Sequence, residues 1–170
     1  VTSSEELVAG DKYIICYNDK QSAYISIMET YVSGKYYCGK VDTQRTTTTF
    51  DDKIPAPEGS SIITLEADGD KWRLKTEDGK YYSFMHYNDC IDTTSEKTKY
   101  SIYNIKIDPT DSHVVITCPN KPEYTLQYYN GKFASYNTTK KPVYLYRYYS
   151  DYYTRAKSSY NYATICLPTV

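Results

Sequence analysis

Two histidines, five cysteines and a few close-set carboxylates are the residues with which this chain could do acid–base, nucleophilic or metal chemistry. The densest arrangement is His86-Tyr87-Asn88-Asp89-Cys90, which holds an imidazole, a carboxylate and a thiol. Such a set would ligate zinc or activate a nucleophile if a second ligand pair accompanied it. None does in this sequence, so a polar loop is the plainer reading. His113 opens the run His113-Val114-Val115-Ile116 and reads as an edge or hydrogen-bonded imidazole. Asp51 with Asp52, Glu66 with Asp68, and Asp89 with Asp92 are acid pairs that would serve a glycosidase if held about 5–9 Å apart. Adjacent acids in polar loops are more often simply solvated, and Asp68-Gly69-Asp70 is too short for a calcium loop. The chain has no G-x-S-x-G, P-loop or dinucleotide glycine run. The expectation is therefore no catalytic residue, no metal and no cofactor.

Tyrosine is the one compositional signal with functional reach: 23 residues, against one Trp and three Phe. Its ring supplies flat apolar area at low rotamer cost and ends in a hydrogen-bonding tip, which suits half-buried strand positions and binding surfaces alike. Tyr13, Tyr24, Tyr82 and Tyr124 are expected to pack inside. Alternation along Val143-Tyr144-Leu145-Tyr146-Arg147-Tyr148 turns Val143 and Leu145 inward and puts Tyr144, Tyr146 and Tyr148 together on the other face. With Lys140 and Arg147 beside it, this row is the candidate binding surface, or else the seat of a neighbouring segment such as the tyrosine-rich tail.

The elements that must position these residues are short strands. β-rich runs at 13–17, 23–28, 36–42, 61–67, 72–76, 80–85, 100–107, 113–118, 124–129, 132–136 and 142–148 alternate with turn residues. Glu77-Asp78-Gly79-Lys80 and Tyr129-Asn130-Gly131-Lys132 read as type I′ hairpin turns. Pro55-Ala56-Pro57-Glu58-Gly59 is a loop that no strand crosses. One helical turn is expected near residues 3–10, capped by Ser3 and stopped by Gly10.

A pattern recurs three times: an aromatic, an aliphatic two places on, a polar turn, then aromatic-x-Ser. The copies run from Tyr13 to Ser26, from Trp72 to Ser83 and from Tyr124 to Ser135. Repetition at this period marks supersecondary units that stack to bury a shared core. The expected fold is all-β, a closed barrel of three similar hairpin repeats like a β-trefoil, with another antiparallel barrel or a sandwich as the alternative.

At 170 residues the chain suffices for one core. Its net charge of −1 creates no field towards nucleic acid or an anionic membrane, and no stretch is apolar enough for a membrane span. The five cysteines, Cys16, Cys38, Cys90, Cys118 and Cys166, are irregularly spaced and odd in number, so buried thiols are expected over a disulfide framework, with one or two bridges as the alternative. Val1 begins in polar sequence, so the chain is expected either to be cytosolic or to have lost a leader.

Three blocks carry a resemblance: Val8-Ala9-Gly10-Asp11-Lys12-Tyr13-Ile14-Ile15; Ile62-Ile63-Thr64-Leu65-Glu66 with the following Lys71-Trp72-Arg73-Leu74-Lys75-Thr76-Glu77-Asp78-Gly79-Lys80-Tyr81; and Pro142-Val143-Tyr144-Leu145-Tyr146. Together they resemble a small all-β accessory domain found in secreted and surface-anchored multidomain proteins of gut Bacteroidetes. The resemblance spans about residues 5–148 and implies an exported, cell-surface module without catalytic residues. Residues 1–148 are expected to form a single β domain, and 149–170 a tail that packs back as a strand or opens a following domain. The expected function is non-catalytic binding of a glycan or other extracellular polymer. The alternatives are a structural spacer or adhesion domain contacting proteins or neighbouring domains, and a glycoside hydrolase-like enzyme. Nucleic acid is not an expected partner.

Overall fold

The structure, a computed structural model, describes residues 7–45, 53–149 and 152–156. All regular structure among them is β-strand. The first strands are β1 (Lys12–Tyr17), β2 (Tyr24–Met28), β3 (Lys40–Gln44), β4 (Lys53–Ile54) and β5 (Ile63–Asp68). Then come β6 (Lys71–Lys75), β7 (Tyr81–Ser83), β8 (Asp92–Thr94), β9 (Asn104–Ile107) and β10 (Val114–Cys118). The last are β11 (Lys121–Tyr129), β12 (Lys132–Tyr136), β13 (Tyr144–Tyr149) and β14 (Tyr152–Arg155). Each of the eleven expected runs has a counterpart. The short strands β4 and β8 were not expected, because two or three polar or mixed residues carry no readable period, while β14 falls in the tail for which a strand was one of two expectations. Residues 3–6 of the helical turn expected at 3–10 lie outside the described residues, as does Cys166, and residues 7–10 form a turn and no helix.

The strands form a ten-stranded sheet in the order β4-β14-β13-β1-β5-β6-β7-β8, with β2 pairing β1 and β3 pairing β2, and a four-stranded sheet in the order β12-β11-β10-β9. All pairings are antiparallel. The larger sheet is open, not a continuous closed barrel, and meets the smaller one through isolated bridges, Trp72↔Tyr103 and Val114↔Val143 among them. No helix among the described residues is long and apolar enough to cross a membrane.

Two apolar clusters hold the sheets. The main one gathers Tyr13, Ile15, Leu65, Leu74, Tyr82, Phe84, Tyr103, Ile116, Leu126, Phe133 and Leu145, with Trp72 half-buried against it. The second packs Ile14, Cys16, Ile25, Ile27, Ile54, Tyr144, Tyr146 and Tyr153 on the opposite side of β1 and β13. Burying each aliphatic side chain contributes on the order of 1.5–3 kcal/mol. β1 and β13 are thus covered on both faces, and their sequences, with no polar face over Tyr13–Cys16 or Val143–Tyr146, are those of strands buried on both sides. The hydroxyls of two fully buried tyrosines are satisfied: Tyr103 donates to the Tyr82 carbonyl at 2.8 Å, and the Tyr82 hydroxyl lies 2.6 Å from Ser61 Oγ.

Two expectations about packing are corrected. Tyr24 opens β2 with its ring exposed, since only the residues after it enter the clusters. Arg73, which alternation along 72–76 places with Lys75 on the face away from Trp72 and so outward, is buried because residues 98–101 fold over it: its guanidinium donates to Asp68 Oδ2 at 2.7 Å, the Thr98 carbonyl at 3.0 Å and Ser101 Oγ at 2.9 Å.

Of the two expected type I′ turns, Asn130-Gly131 is one, with φ of 53° and 82° between the paired Tyr129 and Lys132. The other is a three-residue loop. Gly79 N donates to the Thr76 carbonyl at 3.0 Å, Thr76 N to Lys80 O at 2.8 Å, and Gly79 alone takes positive φ, at 87°. A type I turn closed by a left-handed glycine absorbs the extra residue.

Candidate functional site

The residues that come together at the surface are not those of the expected row. Tyr144 (5% exposed) and Tyr146 (0%) are buried in the second cluster, and only Tyr148 is exposed, at 44%. The physical reason is that β14 pairs β13 on one edge and β4 pairs β14, while β2 and Ile54 cover the face the row was expected to present. The tail strand thus packs back beside its own tyrosines. Arg147 is engaged too, its Nε and Nη2 each 2.7 Å from Asp11 Oδ2. None of the five expected site residues lines the cleft described next, although the Lys140 ammonium lies 4.3 Å from the ring centre of Tyr129, which does.

A cleft of about 310 Å³ opens where segments from three parts of the chain meet. Its walls are Lys35, Tyr36 and Tyr37 before β3, Tyr87 to Cys90 between β7 and β8, and Tyr129, Asn130, Lys132 and Tyr136 of the β11–β12 hairpin. The backbone ties these segments together. Cys38 and Phe133 exchange hydrogen bonds at 2.9 and 2.7 Å, Ile91 N donates to the Tyr36 carbonyl at 2.8 Å, and Ser135 N to the Cys90 carbonyl at 3.0 Å.

Side chains reinforce the 84–90 wall. The Lys121 ammonium donates to the Phe84 carbonyl at 2.9 Å and the Tyr87 carbonyl at 2.6 Å, and lies 4.5 Å from the Tyr124 ring centre. The Tyr124 hydroxyl donates to Asn88 Oδ1 at 2.6 Å, holding that amide at the cleft. Behind them His86 Nε2 meets Asp92 Oδ2 at 2.7 Å. Asp92 is 5% exposed, and burial, opposed by His86, pushes its carboxyl above the ordinary range. Asp89 and Asp92 are therefore divided: Asp89 lines the cleft and Asp92 sits behind it as a buried partner of His86.

Aromatic faces dominate what remains accessible. Tyr87 is 66% exposed and Tyr129 49%. Tyr36 stands edge-on to Tyr87 with ring centres 5.4 Å apart, and Tyr129 edge-on to Tyr136 at 6.4 Å. Lys132 Nζ lies 4.6 Å and Lys35 Nζ 6.0 Å from the centre of the Tyr37 ring, and Lys140 Nζ lies 4.3 Å from that of Tyr129. Burial and then the Asp89 charge push the Tyr136 hydroxyl up to about 12, so it stays protonated and donates to the Lys132 carbonyl at 3.2 Å. Tyr36 holds a left-handed backbone, φ 61°, which is costly for a bulky residue. Its N–H and carbonyl are both bound, to the Tyr31 hydroxyl and Ile91 N, which sustains that conformation.

The arrangement offers stacking faces, amides, a carboxylate and ammonium groups, with no thiol available for chemistry. Cys16, Cys38, Cys90 and Cys118 are free and buried, and burial raises each thiol, Cys38 to about 12. A second groove of about 270 Å³, lined by Glu123, Thr125, Gln127 and Asn137 to Thr139, adjoins the cleft through Tyr136. Away from both, Asp108, Asp111 and His113 at the β9–β10 turn each bring a ligand atom within 4.8 Å of the others, the one such group among the described residues. His113 is paired with Asp111 at 2.6 Å, the hydrogen-bonded form of the imidazole expected there.

The cleft tyrosines did not stand out in the sequence, where attention fell on a strand. A usable signal was present: Tyr36, Tyr37 and Tyr87 sit in the polar stretches 33–37 and 86–90, where strand propensity does not account for them, and Tyr129 adjoins the Asn130-Gly131 turn.

No protein-family model matches the chain, and no curated protein does. Solved structures do. The GlcNAcα1-4Gal-releasing endo-β-galactosidase from Clostridium perfringens matches over 82% of this chain at 12% identity and a TM-score of 0.59. SeviL bound to asialo-GM1 saccharide matches over 88% at 12% and 0.52. Polyporus squamosus lectin bound to a Neu5Acα2-6Galβ1-4GlcNAc epitope matches over 83% at 9% and 0.54. The chain spans 98% of SeviL, 50% of the Polyporus lectin and 33% of the endo-galactosidase. At these identities the likeness establishes the fold, all-β and β-trefoil-like.

Proposed function

We propose that the chain is a non-catalytic glycan-binding module that works through the cleft between Tyr36, Tyr87 and Tyr129. The observation that carries this reading is the cleft itself, in which the exposed rings of Tyr87 and Tyr129 share the lining with Tyr36, Asn88, Asp89 and Asn130 on a braced backbone. Sugar rings offer C–H faces that stack on aromatics and hydroxyls that bond to amides and carboxylates. The saccharides bound to SeviL and the Polyporus lectin support the reading by fold-level analogy. The non-catalytic part rests on Asp92, which His86 and burial hold away from the cleft.

The same proposal includes a pseudo-threefold barrel of β1, β5, β6, β9, β10 and β13. It is supported by the joints between the sheets, where Trp72 and Tyr103 exchange hydrogen bonds at 2.9 and 2.8 Å and Val114 N donates to Val143 O at 2.8 Å. An exported, cell-surface setting belongs to it as well, on the resemblance of residues 5–148 to accessory domains of surface proteins.

A glycan array probed with protein shown to be folded by circular dichroism tests the function. Binding to at least one saccharide is expected, weakened about tenfold by Tyr87→Ala and by Tyr129→Ala, since a stacked ring is worth up to roughly 1.5 kcal/mol. A uniformly null array, or binding indifferent to both substitutions, overturns the reading. Shortening of the bound saccharide removes the non-catalytic part.

A further inference from the structure

We infer that the cleft selects an acidic saccharide, its carboxylate or sulfate group held by Lys35 and Lys132. This rests on the glycan reading above and names the ligand class. Lys35 and Lys132 both line the cleft, and their ammonium groups lie 6.0 and 4.6 Å from the centre of the same ring, that of Tyr37. Other lysines of this protein are neutralised by carboxylates: Lys40 by Asp42 at 2.5 Å, Lys97 by Glu66 at 2.9 Å, Lys71 by Asp70 at 3.2 Å. Lys35 and Lys132 have no carboxylate within ion-pair reach among the described residues.

A ring face beneath an ammonium restrains it without neutralising it, because the attraction is to the ring quadrupole and leaves the N–H groups free to donate. Two such cations on one ring form a preorganised seat for an anion, and the Lys140 ammonium over Tyr129 adds a third positive charge at the rim. Asp89 is the one carboxylate lining the cleft. It accepts from sugar hydroxyls and disfavours a second anion beside it, so the fit is to a saccharide with a single acidic group next to neutral rings. Asn88 and Asn130 supply the neutral contacts.

Three forms of one oligosaccharide test this by titration calorimetry: neutral, capped with a sialic acid, and carrying a sulfate ester. At least one acidic form is expected to bind about tenfold more tightly than the neutral form, and which one identifies the source of the anion. Lys35→Gln and Lys132→Gln, at exposed positions, are each expected to weaken the acidic form about threefold to fivefold more than the neutral form. Raising the salt from about 50 to 500 mM should weaken only the acidic form. If the neutral form binds as tightly as both acidic ones and is still lost in Tyr87→Ala, the charge inference falls and the glycan reading stands. If none of the three forms binds and the array is also null, both fall. Equal affinity for a single-stranded oligonucleotide would show a general polyanion surface and overturn the selection of a saccharide.

Discussion

Lys121→Met is the perturbation that best tests how the cleft wall is built. Methionine keeps the apolar stem and deletes the ammonium, which donates to the Phe84 carbonyl at 2.9 Å and the Tyr87 carbonyl at 2.6 Å and lies over Tyr124 at 4.5 Å. A charged hydrogen bond is worth about 1.5–3 kcal/mol when shielded, and the half-buried Phe84 contact should take the lower part of that range. The exposed Tyr87 contact adds less than about 1 kcal/mol, and the ring contact about 0.5 kcal/mol. The total is on the order of 2–3 kcal/mol. With a urea slope near 2 kcal/mol/M, typical of a small domain, the unfolding midpoint should fall by about 1 M. Amide exchange in 84–90 should quicken more than in β5 or β10, because the variant loosens one loop, and saccharide affinity should drop with it. A midpoint within about 0.2 M of the parent, with unchanged exchange in that loop, would refute the bracing role.

Tyr146→Ala should cost about 3–5 kcal/mol, since it empties a fully buried ring site, whereas Tyr148→Ala should stay within about 0.5 kcal/mol; thermal unfolding of the pair checks this, and a neutral Tyr146→Ala would undo the two-sided burial of β13. Asp92→Asn tests the buried carboxyl. Because burial raises the folded-state value above the unfolded one, the folded state binds the proton more tightly, so the parent should gain stability relative to Asp92→Asn as pH falls from 7 through the ordinary carboxylate range. Urea midpoints measured across that range decide it, and a gap that moves the other way would contradict the assignment.

Much of the scaffold was legible because strand structure is local. Alternation and turn residues located eleven runs, and Asn130-Gly131 could only be the turn it is. The Asp78-Gly79 turn was misread by one residue, because the same dipeptide serves a two-residue or a three-residue loop and pairing beyond it chooses between them. Four cysteines read as buried thiols are buried thiols. The candidate site was less legible. Period-2 alternation shows that Tyr144 and Tyr146 share a face, and says nothing of whether another layer covers it.

By itself, then, the sequence determined an all-β chain of short strands and its lack of any familiar catalytic motif, since these depend on neighbours a few residues apart. Only the tertiary structure decided that β14, β4 and the β2–β3 hairpin cover the tyrosine row of β13, and that Tyr36, Tyr87 and Tyr129 meet around one cleft. Those residues lie roughly 40 to 50 positions apart in the chain. Their meeting depends on which strand edges find partners, a choice made by long-range pairing between the sheets and carried by no local pattern.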